Sequence, residues 1–222
     1  IFSSIFSFFP CPFFFFFHPL TGLDTLRVGS DSENRISLSQ NNITHILSVY
    51  NNAKPVLEDI SYLCIHAADA SSQNLSQHFK ECISFIHECR LNGGACLVHC
   101  LAGVSRSTTL VVAYLMTVTS YSWEECLSAV KAVRSFVGPN YGFQQQLQEY
   151  QMTQVKEYRA WLRTSFRPNP FKDQEQVGAL LSMYTEQQQR ENQRRGENRD
   201  WMNQAGIYPL PYDAYNGSGG NR

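Results

Sequence analysis

Apolar and polar positions alternate along the chain in two distinct rhythms. His45-Ile46-Leu47-Ser48-Val49 and Tyr62-Leu63-Cys64-Ile65 are short apolar runs bounded by Asn51-Asn52, Pro55 and polar loops, the pattern of buried strands. Leu75, Phe79, Cys82, Ile83, Ile86 and Cys89 then recur at helical spacing, and Asn92-Gly93-Gly94 stops that helix. Ala95-Cys96-Leu97-Val98 is fully apolar, as expected of a strand at the centre of a sheet. A loop at 99–107 leads into the apolar run Thr108–Val118, too short for a membrane span and so a core helix. Ser122 with Glu125 forms a capping box opening a helix through about Val133. Asn140 or Gly142 opens another, with Phe143, Leu147 and Tyr150 on one face, running as far as Trp161-Leu162. Strands alternating with helices predict an α/β fold, a central mixed sheet flanked by helices.

The two ends depart from this rhythm. Residues 1–22 are Phe-rich, with Pro10, Pro12 and Pro19 and no Asp, Glu, Lys or Arg among the first twenty. Three prolines and the lack of a basic flank or small-residue cleavage pattern argue against a working signal or anchor. Phe, Ser, Pro and Leu all have pyrimidine-rich codons, so the segment reads as a translated polypyrimidine tract. Ordered sequence is expected from about Leu23, with Leu26-Arg27-Val28 as a short edge strand and a turn or helix around Asp31–Ser39. The catalytic domain is placed at 23–163. From 164 to 222 Gln, Asn, Arg, Glu and Gly dominate. That composition predicts a polar, largely disordered tail, with a frayed helix at Gln174–Arg190 and three tyrosines, Tyr208, Tyr212 and Tyr215, as an inert stretch or as phosphorylation or docking sites.

Composition narrows the chemistry. The chain has 222 residues and a formal net charge of -1, so no global field recruits nucleic acid or a membrane surface. Any bound anion must be held locally. Seven cysteines, an odd number with no Cys-x-x-Cys pair, fit neither a disulfide framework nor a zinc site, and indicate a reducing compartment. A bridge between Cys96 and Cys100 would be awkward, because residues four apart on a strand lie roughly 13 Å apart.

The loop His99-Cys100-Leu101-Ala102-Gly103-Val104-Ser105-Arg106-Ser107 carries the chemistry. It lies between an apolar strand and the N-terminus of a core helix, where unpaired N–H groups and the helix dipole favour an anion. Leu101, Ala102, Gly103, Val104 and Ser105 can curl their N–H groups inward around a phosphate, with Gly103 permitting the tight backbone. Arg106 can clamp two phosphate oxygens, which a lysine cannot. The same field favours the Cys100 thiolate, the form that attacks phosphorus. Ser107 can offer its hydroxyl to the sulfur, and His99 can fix the loop through its ring N–H. Expulsion of an alkoxide or phenolate benefits from a general acid. Asp69 follows the strand at 62–65 and so lies at the carboxyl edge beside the loop, whereas Glu58 and Asp59 precede that strand and belong at its other end.

His99–Ser107 resembles the signature of the protein tyrosine phosphatase superfamily. Ala67-Ala68-Asp69 through Ser107, with Pro139-Asn140-Tyr141-Gly142-Phe143 downstream, is similar to the small atypical dual-specificity phosphatases over about Leu26–Leu162. The resemblance implies the cysteine-phosphatase fold, Cys100 as nucleophile, Arg106 as phosphate clamp, Asp69 as general acid and Asn140 as a brace for the catalytic loop. It implies hydrolysis of phosphotyrosine and phosphoserine/threonine in proteins through a phosphocysteine, modulating kinase signalling, with no metal or other cofactor. Phosphoprotein substrates, no nucleic-acid partner, a monomer and a cytoplasmic or nuclear location follow as expectations. Two departures stand out. Relatives begin with a Met-Gly myristoylation signal, which the Phe-rich segment replaces, so membrane association is not supported by this N-terminus. His66 stands where proline is expected before the acid loop. Two other readings are a phosphoinositide phosphatase, disfavoured by the lack of lysine in the loop, and a phosphate-binding scaffold, disfavoured because Cys100, Arg106 and Asp69 are all present.

Overall fold

The structure is a computed structural model that describes residues 35–204. The Phe-rich segment, the expected edge strand at 26–28 and Tyr208, Tyr212 and Tyr215 lie outside the described residues. A short helix α1 (Arg35–Gln40) precedes strand β1 (Ile43–Val49), which is central in a three-stranded sheet of order β2-β1-β3, with β2 at Ser61–Ile65 and β3 at Ala95–His99. Leu47 pairs with Leu63 on one side and with Val98 on the other. The fold class is α/β as expected. Where a mixed sheet is expected, both strand pairings among the described residues are parallel.

Parallel strands need cover on both faces, and the burial of β1 shows it: four consecutive residues, Ile46–Val49, are buried. Successive side chains point to opposite faces. Ile46 and Leu97 join Leu38 and Ile43 in a small cluster on one side. Leu47, Val49, Cys96 and Val98 enter the main core on the other. That core is built around helix α3 (Arg106–Val118), in which every residue from Arg106 to Thr117 is buried. Two of its threonine hydroxyls bond back along the chain. Thr109 donates to the Ser105 carbonyl at 2.9 Å and Thr117 to the Ala113 carbonyl at 2.7 Å.

A 3-10 turn (Ser76–His78) feeds helix α2 (Phe79–Leu91), which ends at Gly93 with a φ of +76°. Helix α4 (Trp123–Val133) opens on the expected capping box, the Ser122 hydroxyl accepting from Glu125 N and the Glu125 carboxylate accepting from Ser122 N. Asn140 caps helix α5 (Tyr141–Thr153). The single helix expected to reach 161–162 is broken at Gln154, and α6 (Val155–Ser165) follows as a separate element.

The C-terminal region differs most from expectation. Instead of a frayed helix in a disordered tail, residues Asp173–Gln204 form one 32-residue helix, α7. Its first turns are anchored. Asp173 and Val177 are buried, Gln174 accepts from Ser120 N at 2.8 Å, and Gln187 donates to the Ala132 carbonyl at the end of α4. The apolar anchor is sparse and confined to the helix start, so average composition hides it.

Candidate active site

All three parallel strands end at one edge of the sheet, and the loops leaving them converge there. The loop after β3 holds Cys100, the loop after β2 holds Asp69, and the turn after β1 holds Asn51. Asp59, at the opposite end of β2, pairs with Arg35 at 3.1 Å, away from this edge.

Gly103 has a φ of +63°, a left-handed conformation that side chains rarely adopt, and so turns the loop back over the sulfur. Its N–H donates to Cys100 Sγ at 3.2 Å, and Ser107 Oγ lies 3.3 Å from the same atom. Burial alone would push the Cys100 thiol up. The Ser107 hydroxyl, the Ser107 and Gly103 N–H groups and the Arg106 charge together outweigh it, and the net pKa lies below the ordinary thiol value. Cys82, buried without such donors, moves the other way, above that value. The side chain of Leu101 is exposed, and Ala102 is exposed beside it, so only their backbone can serve an anion.

Arg106 is buried at the start of α3. It donates to the Ala67 carbonyl at 3.1 Å, and its Nε lies 3.5 Å from Asp69 Oδ2, an ion pair without a formed hydrogen bond. Asp69 Oδ1 accepts from the Ser105 hydroxyl at 2.7 Å and from Asn140 Nδ2 at 2.9 Å. The side chain of Asp69 stays 33% exposed, open to a substrate. The structure therefore brings Cys100, Arg106, Asp69, Ser107, Ser105 and Asn140 together.

Three sequence expectations change in detail. Ser105, expected to offer its backbone to phosphate, also turns its hydroxyl to Asp69 while accepting from Asn140 N at 3.1 Å. Asn140, expected to brace the catalytic loop, reaches that loop through its backbone N–H, while its side chain caps α5 and grips Asp69. The loop is also tied by Gly138 N donating to the Val104 carbonyl at 3.1 Å. The ring of His99 bonds across the sheet, with Nε2 2.7 Å from Ser48 Oγ, so it ties β3 to β1 at the edge where the loop departs. Burial lowers the pKa of His99 below the ordinary imidazole value. Ser48 went unnoticed in the sequence, although a hydroxyl inside an otherwise apolar strand was its signal. His66, in place of the expected proline, holds the start of the acid loop by a 2.8 Å bond between Nδ1 and the Asn51 carbonyl.

Among the described residues no group of three or more His, Cys, Asp or Glu could hold a metal ion, and no helix is long and apolar enough to cross a membrane.

Residues 27–153 match the family "dual specificity phosphatase, catalytic domain". Dual specificity protein phosphatase 22-A of Danio rerio is 75% identical over 203 residues, covering 90% of this chain and 96% of that one. Dual specificity protein phosphatase 22 of Homo sapiens is 55% identical over 152 residues, 68% of this chain and 83% of that one. Among solved structures, that of DUSP15 superposes with a TM-score of 0.62 at 47% identity, covering 65% of this chain and 92% of that chain.

Proposed function

The chain belongs to the dual specificity phosphatase catalytic-domain family and is a protein phosphatase acting on phosphoproteins; we propose that Cys100, Arg106 and Asp69 carry its two-step reaction. The Cys100 thiolate attacks phosphorus in line with the ester bond. The phosphorus–oxygen bond to the leaving group breaks, and Asp69 gives its proton to the departing tyrosine, serine or threonine oxygen. Arg106 and the loop N–H groups stabilise the charge on the three remaining oxygens. A water then attacks the phosphocysteine, Asp69 takes its proton, and the thiolate leaves with inorganic phosphate released. Ser107, within reach of the sulfur, eases that departure. The observation that carries this reading is the Cys100 sulfur 3.2 Å from Gly103 N and 3.3 Å from Ser107 Oγ, with Arg106 and Asp69 paired at 3.5 Å beside it.

Cys100, Arg106, Asp69 and Ser107 complete the site within a single chain, and a monomeric enzyme is the reading adopted. A cytoplasmic or nuclear site of action is supported by the odd, scattered set of seven cysteines with no Cys-x-x-Cys pair. Modulation of kinase signalling follows from the substrate class. The test is turnover of matched phosphotyrosine and phosphothreonine peptides by the full chain. Both peptides are expected to be hydrolysed, and Cys100→Ser to be inactive on both. Activity surviving Cys100→Ser would overturn the assignment.

A further inference from the structure

The loop from His66 to Leu75 has no regular structure, yet it must hold the Asp69 carboxyl in place against a leaving group bound over Cys100. Its far end is fastened from α5. Gln146 Oε1 accepts from Leu75 N at 2.7 Å and from Ser76 N at 3.0 Å, while its Nε2 donates to the Gln73 carbonyl at 2.8 Å. In the 3-10 turn that starts there, Asn74 Oδ1 accepts from Gln77 N at 3.2 Å, and Gln146 supplies from another helix the acceptor for the Leu75 and Ser76 N–H groups. Gln73 in turn accepts from Ala68 N at 3.1 Å through its side-chain oxygen. One line of hydrogen bonds thus runs from Gln146 through Gln73 to the residue before Asp69. One turn earlier on α5, Gly142 packs directly on the Ser71 backbone, where a methyl group would overlap the Ser71 carbonyl.

Resting on the assignment of Asp69 as general acid, we propose that Gln146, acting through Gln73, is a positioning residue for proton transfer by that carboxyl. Gln146 touches neither substrate nor Asp69. It fixes the backbone on which Asp69 is carried, from the same helix whose cap, Asn140, grips the Asp69 side chain. Loss of Gln146 therefore harms the proton-transfer step and leaves thiolate attack intact.

Two aryl phosphates separate these effects. 4-Nitrophenyl phosphate expels a stable anion and needs little help from an acid, whereas phenyl phosphate needs the proton. In the full chain, Gln146→Ala is expected to lower kcat/KM for phenyl phosphate about 10-fold more than for 4-nitrophenyl phosphate. Gln146→Glu keeps the acceptor for Leu75 and Ser76 but loses the donor to Gln73, and should give a smaller split. Gln73→Ala breaks the same line in the loop itself, with Gln146 untouched, and should split the substrates in the same direction. Asp69→Asn is the reference, with the largest split. An equal loss on both substrates in Gln146→Ala and Gln73→Ala, or no loss, would overturn the positioning role while Asp69→Asn still splits them. If Asp69→Asn itself shows no split, the general-acid assignment fails instead.

Discussion

Two buried arginines, Arg90 and Arg106, each meet an aspartate, and the two pairs are built for opposite ends. Arg90 and Asp173 are 5% and 2% exposed, and meet through contacts of 2.8 and 3.4 Å. Tyr114 accepts a further bond from Arg90 at 2.6 Å, Asn169 donates to Asp173 at 2.8 Å, and the Phe171 ring stacks 4.2 Å from the guanidinium. Arg106 and Asp69 meet only loosely, at 3.5 Å, with the aspartate side chain one third open. The first pair is closely matched through the two terminal guanidinium nitrogens and locks α7 onto α2 and α3. The second leaves charge in reserve for an incoming phosphate. A buried pair contributes stability mostly through the damage done when one partner is removed, whereas a half-open pair retains function because it is incomplete.

The largest effect is expected from Asp173→Ala, which leaves Arg90 without its carboxylate partner in the core and should cost about 3–5 kcal/mol in denaturant unfolding. The folded fraction should keep its kcat. Arg106→Lys comes next. It should cost about 10²–10³-fold in kcat/KM on an aryl phosphate, because a point charge replaces a planar fork, with little change in unfolding midpoint. A large stability loss from Arg106→Lys, or none from Asp173→Ala, would merge the two pairs into one class.

Ser107→Ala gives the smallest effect and the most specific. Ser107 makes the strongest contribution lowering the Cys100 pKa, so its removal raises that pKa. The thiolate is the reactive form, so kcat/KM rises with pH through the Cys100 pKa. That limb should shift to higher pH in Ser107→Ala, read from the pH profile of kcat/KM. An unshifted limb would remove Ser107 from the account.

The difference between the pairs also tracks what can be read from a sequence. The Cys100–Arg106 site was legible because strand, loop and helix are contiguous, and each has its own local signal. Asp69 was expected beside the loop from strand direction, which favoured it over Glu58 and Asp59, and from the family resemblance. The capping box at Ser122 is equally local. Arg90–Asp173 is not, since its partners are 83 residues apart and the second lies in a segment whose composition reads as disordered. The Ser105 and Asn140 contacts to Asp69 and the Ser48–His99 bond escape for the same reason: periodicity reports which face a residue occupies, not which distant atom it meets. The break at Gln154 escaped because apolar residues recur at helical spacing on both sides of it.

The most direct test of the central claim is acid-quenched mass spectrometry of the full chain during turnover of an aryl phosphate. A phosphoryl group is expected on the peptide containing Cys100, absent in Cys100→Ser and longer-lived in Asp69→Asn, where the water-activating step is impaired. A phosphoryl group on any other residue, or turnover with none on Cys100 under conditions that trap the intermediate in Asp69→Asn, would contradict it.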